Sequence, residues 1–414
     1  MSGIAKILTT ISRFIIGVLF IISGLIKAND ALGFSYKLEE YFDVFHQILT
    51  MNGWDGLASV MLFFSEMALP MAMFICVIEI VLGVAALIGS KMKLVSWSLL
   101  LMILFFTWLT FYSASCDPSG SVSCVTDCGC FGDALKLTPW GSFKKDLFLL
   151  AWIVIIFWNR KHIEPLFPAK NSTMIVVMST IFSTLFTIYT YRHLPIKDWR
   201  AYKEGTKMME AMTPVPGEFK NTYVLIEKAT GEKKEFDAFP DNWNETYDWG
   251  EMKQEVIVPE IEPKIKDFGI MTEDGYNYTE EYLNDSTDVF FLICKDLSHL
   301  GSYTSDENGV VTAFKADQST TEDFKLINEF AKSSEAVGVK FIVLTASYGG
   351  MIDEFRNALQ TPYPFYQCDE KELKTFIRSN PGLVLIKKGV ITKKWHINDF
   401  PSFDEVAENY ELKK

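Results

Sequence analysis

Residues 67–89 read MALPMAMFICVIEIVLGVAALIG, and Glu79 is the only charged side chain in the stretch. A bilayer core about 30 Å thick is crossed by roughly 20 apolar residues in a helix, so this stretch is a membrane span. Working outward, residues 94–115 and 172–190 carry no charge at all. Residues 14–26 are apolar and extend back through Arg13 toward Ile4. Residues 147–158 are shorter and need Trp140 to Asp146 to complete a span, with Lys144 and Lys145 snorkelling. Five spans result. The first run ends in Gly24, Lys27 and Asn29 with no small-residue cleavage site after it, so it is expected to remain as a span.

Charge divides the 414-residue chain in two. Residues 1–190 hold 12 basic and 12 acidic side chains, and residues 191–414 hold 27 basic and 40 acidic ones, which is the whole net charge of −13. The pattern is that of a neutral membrane half and an acidic soluble half. The acidic half would repel phosphate, which excludes nucleic acid as a partner. Lys91 and Lys93, then Arg160, Lys161 and Lys170, fall between spans on one side, with Lys6 ahead of the first. Basic loops mark the cytoplasmic side. Loops 28–66 and 116–146 and everything after residue 191 are therefore expected outside. In the first of these loops, Tyr36, Leu38, Tyr41, Phe42, Phe45, Ile48 and Leu49 recur at helical spacing against Glu39, Glu40 and Asp43. That predicts an amphipathic helix on the membrane or the bundle, with a second from Leu57 to Phe64.

The outer loop between the third and fourth spans holds Cys116, Cys124, Cys128 and Cys130. The spacing Cys-x7-Cys-x3-Cys-x-Cys is not a zinc pattern. Two disulfides stapling the loop, one structural disulfide beside a redox-cycling pair, and, third, a metal site are the readings it leaves, and four cysteines allow three pairings. Cys116 and Cys124 are taken as the structural disulfide and Cys128 and Cys130 as the candidate redox pair. A disulfide across Cys128-Gly129-Cys130 would be strained, hence reactive. The loop would then face an oxidising compartment. Glu79 needs a partner within its span: the plain reading is a structural ion pair or a protonated acid, the other a proton or quinone site. Arg13 and Lys27 flank the first span as interfacial cations.

Ser23-Gly24-x2-Lys27, Glu79-x3-Gly83 and Cys128-Gly129-Cys130-Phe131-Gly132 resemble the DoxX/MauE-like redox-associated bacterial membrane proteins. The resemblance covers roughly residues 4–160. It implies a four-helix membrane bundle, an inner-membrane location and a link to disulfide formation in a periplasmic enzyme.

Beyond it lie a fifth span within 161–192, then a linker with a small β-element over 193–265. A hairpin is expected at 221–237, between linkers at 205–217 and around Pro259–Pro263. From 266 to 414, strands alternate with helices: strand 288–294, helix 321–337, strand 340–346, helix 352–359, helix 373–378, a hairpin turning at Lys388-Gly389, and a closing helix from Phe403. This order resembles a thioredoxin-like α/β domain. Where that family places Cys-x-x-Cys, this chain has Ser298-His299-Leu300-Gly301, and the family's active-site proline matches Pro381. Cys294 and Cys368 read as core thiols.

The fold class read from the sequence is thus an all-α membrane bundle of five spans with a periplasmic thioredoxin-like α/β domain. Two functions fit. In one, the loop cysteines exchange disulfides and pass electrons onward, a quinone being the candidate acceptor. In the other, the protein is a scaffold or accessory subunit whose thiol-free domain docks an envelope partner. Membrane lipid and a periplasmic or envelope protein are the expected partners.

Overall fold

A computed structural model describes residues 3–117, 124–125, 129, 132–135, 137–284, 286 and 288–412. The N-terminal half is helical: α1 (Gly3–Asn29), α2 (Ala31–Met51), α3 (Asp55–Glu66), α4 (Ala68–Ile88), α5 (Met92–Ser115), α6 (Pro139–Asn159) and α7 (Ala169–Arg192). Among the described residues, α1, α4, α5 and α7 are long and apolar enough to cross a membrane. Helix α6 packs against α5 and α1. It starts with Pro139 behind the Thr138 side-chain cap, so residues 140–146 belong to the helix.

Glycine sets the distance between α1 and α4. A Cβ on Gly83 would lie 2.8 Å from the Gly17 carbonyl oxygen and 2.9 Å from the Ile21 nitrogen. Only a hydrogen in that place lets the two backbones approach so closely. Helix α2 starts where Asp30 caps the Gly33 N–H at 3.0 Å. Its Phe34, Leu38, Tyr41 and Phe42 are buried in one cluster with Ala28 of α1, Ala68 and Ala72 of α4, and Phe106 and Leu109 of α5. Of the two places expected for this amphipathic helix, the membrane surface or the bundle, it takes the bundle.

The bundle has two distinct ends. At one, Arg13 donates from Nε to the Ala86 carbonyl (2.9 Å) and from Nη2 to the Leu87 carbonyl (2.7 Å), capping α4. There the Leu166 N–H also reaches the Ile88 carbonyl at 2.9 Å. The Lys91–Lys93 turn and the 160–168 connection thus lie together. At the other end Thr190 donates to the Ala28 carbonyl, and Asn29 exchanges two hydrogen bonds with the Lys197 backbone, of 2.8 and 3.1 Å. The first outer loop, the cysteine loop and the C-terminal half share this second end.

After α7 come α8 (Met208–Met212), β1 (Glu218–Glu227), β2 (Lys233–Phe236), α9 (Trp243–Thr246) and β3 (Tyr247–Val258). The expected hairpin is therefore a three-stranded sheet, β2-β1-β3. The third strand is exposed along nearly its whole length, and no one-sided apolar pattern announces it. The stretch expected as a linker is also structural, because Tyr202 and Met208 are fully buried in the core of the next domain.

That domain contains α10 (Thr279–Leu283), β4 (Asp288–Ile293), β5 (Gly301–Ser305), β6 (Val311–Ala316), α11 (Gln318–Ala336), β7 (Lys340–Thr345), α12 (Gly350–Leu359), β8 (Phe365–Gln367), α13 (Glu370–Phe376), β9 (Gly382–Lys387), β10 (Val390–His396) and α14 (Phe403–Asn409). The main sheet has the order β10-β9-β4-β7-β8. Strands β7 and β8 run parallel to β4, β9 is antiparallel to it, and β10 is antiparallel to β9. Strand β4 is apolar on both faces because it is the central strand. Val289, Phe291 and Ile293 enter one core, and Phe290 and Leu292 enter the other with Phe324 and Phe330. The β5–β6 hairpin stands between β4 and α11, where the sequence pattern suggests a direct passage from strand to helix.

His396 ends β10 and accepts the Asn398 N–H on Nδ1 at 3.1 Å. Burial pushes this imidazole down to about 4 from 6.5, with Asp399 opposing and His193 and Lys295 adding to the fall. The native state thus keeps His396 neutral where the unfolded chain takes a proton. Its contribution is complete above pH 6.5 and is lost as pH drops toward 4. Thermal melts of the full chain across that window should show the midpoint falling with acid, and His396→Gln should make the fall shallower. Equal slopes for the two proteins would mean that His396 has no part in it.

Candidate functional site

The chemistry-bearing residues gather at the C-terminal end of α1. Inside the bundle, Lys27 Nζ lies 3.0 and 2.8 Å from the two Glu79 oxygens, and the Ser23 hydroxyl donates to Oε1 at 2.9 Å. The Phe106 ring faces the same ammonium at 4.6 Å. Glu79 is therefore half of a buried ion pair, and Lys27, read as interfacial, is its buried partner. Both Glu79 oxygens are engaged by protein groups, Oε1 by Ser23 and Lys27 and Oε2 by Lys27. Arg13 is a helix cap far along α1.

Three residues beyond Lys27, Asp30 points the other way. Arg378, just after α13, donates from Nε and Nη2 to its two oxygens at 2.7 and 3.0 Å, a two-pronged pair. Burial opposes the Asp30 charge, but the Arg378 and Arg200 guanidiniums and its hydrogen bonds outweigh burial and hold the carboxyl below its usual range. Nearly two turns further along, on α2, the Tyr36 ring receives Lys374 at 5.0 Å, Arg378 at 5.4 Å and Lys295 at 5.8 Å. Lys295 follows β4 and is buried, with its Nζ 3.3 Å from the Tyr36 hydroxyl. Burial, then the Arg378 and Arg200 charges, push its ammonium well below the usual lysine value, with Asp30 opposing.

The cysteine loop reaches the same corner. Cys116 and Cys124 form a disulfide with Cα atoms 5.8 Å apart. Val125, next in the chain, is fully buried in the cluster of Ala28, Phe34, Leu38 and Tyr41. Gly129 is buried in the left-handed region at φ +63°, and a Cβ there would meet Lys37 at 3.2 Å and Phe34 at 3.8 Å. Cys128 and Cys130 lie outside the described residues. Asp133, in a short 3-10 turn against α1, is close enough for its charge to act on Arg378.

Lys295 and Asn380, beside the expected degenerate site, sit on the face of the α/β domain that meets this corner. Lys295 N donates to Asn380 Oδ1 at 2.8 Å and Asn380 Nδ2 to the Asp296 carbonyl at 3.2 Å, joining the end of β4 to the cis Asn380–Pro381 bond. Asp296 caps the Ser298 N–H at 2.8 Å, His299 is exposed, and Gly301 opens β5. Ser298, His299 and Gly301 are thus not brought to Asp30. Burial pushes the Cys294 thiol up, and burial first pushes Cys368 up to about 12, so neither is a ready nucleophile. No cluster of metal-binding side chains occurs among the described residues. The sequence reading missed Asp30, Tyr36, Lys295 and Arg378.

These parts define a class: a helical membrane module with a disulfide-bearing loop, joined to an α/β domain. The family model described as Methylamine utilisation protein MauE matches residues 5–159, so the N-terminal part is MauE-like. No curated protein and no solved structure matches the chain.

Lys27→Met alone strands a buried carboxylate and should cost about 3–5 kcal/mol, whereas Lys27→Met with Glu79→Leu removes both charges and should recover most of that. Thermal denaturation in detergent reads the difference. A single variant as stable as the parent would place the pair in contact with water.

Proposed function

We propose that this is a five-span bacterial inner-membrane protein of the DoxX/MauE-like kind, α6 being the remaining span. The cysteine loop and a thioredoxin-like domain lie in the periplasm. Its activity is thiol–disulfide exchange at the loop, with Cys128 and Cys130 as the exchanging pair and Cys116–Cys124 as the staple. In such exchange a partner's thiolate attacks the loop disulfide, a mixed disulfide forms, and the partner's second thiol resolves it. Two electrons and two protons reach the loop as the partner gains a disulfide. A lipid-soluble acceptor such as a quinone would then have to reoxidise the pair.

The observation that carries this reading is the Cys116–Cys124 disulfide anchored by buried Val125 beside the Cys128-Gly129-Cys130 motif, at the bundle end that also holds the α/β domain. The sheet order, with the antiparallel β9–β10 hairpin beside the central β4, supports the thioredoxin-like assignment. A second reading, a scaffold that docks an envelope partner through its α/β domain, is favoured by that domain's own thiols, both buried and held protonated.

Mass-spectrometric mapping of the four loop cysteines under graded reduction separates the two. The redox reading expects Cys128 and Cys130 to be reduced well before Cys116 and Cys124. It also expects Cys128→Ser with Cys130→Ser to abolish function, while Cys294→Ala with Cys368→Ala leaves it largely intact. Two equally resistant bonds would favour the scaffold.

A further inference from the structure

We propose that the start of α5 binds one anionic phospholipid, at the end of the bundle opposite the cysteine loop: Lys91 and Lys93 take its phosphodiester, and Leu94 and Trp97 seat its acyl chain.

A cavity of about 520 Å³ lies here, lined by Lys91, Met92, Lys93, Leu94 and Trp97. Its lining is ordered by depth. Lys91 precedes Leu94 by three positions and Lys93 precedes Trp97 by four. Each cation therefore stands about one helical turn, roughly 5.4 Å, nearer the end of the helix than an apolar residue on the same side. Helix α5 is long and apolar enough to cross a membrane, so its start lies at headgroup level, with Leu94 and Trp97 reaching toward the acyl region. Both of these side chains are exposed. The Trp97 ring is nonetheless fixed in direction, edge-on to Phe157 of α6 with the ring centroids 4.7 Å apart.

Charge selects the occupant. Residues 89–93 and 159–170, which meet at this end, carry Lys91, Lys93, Arg160, Lys161 and Lys170 against Glu164 alone. The arginines here are already engaged. Arg13 caps α4, and Arg160 donates to the Phe157 carbonyl while its guanidinium lies 3.9 Å from the centre of that ring. Lys91 and Lys93 are exposed, and among the described residues no carboxylate pairs with either. No side chain caps α5, so its first N–H groups point to the same end as the two ammoniums. A free anion would meet the ammoniums and leave Leu94 and Trp97 uncovered. A zwitterionic lipid would cover these two but bring its own cation to the lysines. An anionic phospholipid answers both halves of the cavity, as it does in basic pockets between membrane helices.

The test uses the full chain in detergent, titrated with dioleoylphosphatidylglycerol and separately with dioleoylphosphatidylcholine. Native mass spectrometry counts the lipid retained. The parent should hold one phosphatidylglycerol about tenfold more tightly than phosphatidylcholine, and Lys91→Asn with Lys93→Gln should abolish that preference. Asparagine suits position 91 because Lys91 stands in the left-handed region at φ +46°. Lys6→Gln with Lys170→Gln removes the same charge from the same end and should keep the preference. Trp97→Ala should weaken both lipids alike, since the ring meets the chain and not the headgroup. Inorganic phosphate at matched ionic strength should leave the phosphatidylglycerol in place. Loss of the preference in both double variants would reduce the effect to diffuse attraction and overturn the site. So would equal binding of the two lipids by the parent, displacement by inorganic phosphate, or parent-like binding by Trp97→Ala.

Discussion

A charge removed from water must meet its opposite, and the C-terminal end of α1 meets that demand in two directions. Lys27 turns into the bundle and pairs with Glu79. Asp30 turns out of it and pairs with Arg378. The first pair fixes α1 against α4, where Gly17 and Gly83 already allow close approach. The second fixes the α/β domain against the bundle. Leaving Lys27 or Glu79 unpaired in so dry a place would cost several kcal/mol, and Arg378 is likewise buried against the half-buried Asp30, so the placement of both halves is tied to these few residues.

Secondary contacts make the attachment firm. His193 meets Asp399 at 2.7 Å, and the Asn398 amide donates to the Arg192 carbonyl at 2.6 Å, tying the end of α7 to the turn after β10. Arg200 is buried against Asp198 and the Thr375 carbonyl. Lys394 joins the same network through Asp198, and burial pushes it down to about 8 despite that carboxylate. The chain leaving the membrane is therefore pinned to the domain it leads into. On the bundle itself, Val125 anchors its stretch of the cysteine loop in the cluster of Ala28, Phe34 and Leu38.

The membrane helices and β4 were legible in the sequence because their burial is local: long uncharged runs, and a strand apolar on both faces. The lone charge of Glu79 was legible as a demand for a partner, but not the partner itself. Lys27 lies 52 positions away and resembles any basic residue at a span's end. Arg378 and Asp30 are separated by 348 positions, and nothing beside either one marks it as half of an ion pair. Strand β3 escaped notice because it is exposed and its apolar residues are diluted by Asp248, Glu251, Lys253 and Glu255. The β5–β6 hairpin did carry a signal. Asn308-Gly309 lies between its strands and is a common hairpin turn.

The central claim is that the basic turns lie on one side of the membrane and the cysteine loop and α/β domain on the other. Two single-cysteine insertions test it most directly: Gly231→Cys at an exposed turn of the β-element and Lys161→Cys after α6. Intact spheroplasts are treated with a membrane-impermeant maleimide. The account predicts labelling at position 231 before lysis and at position 161 only after it. Labelling of both before lysis, or of position 161 alone, would contradict it.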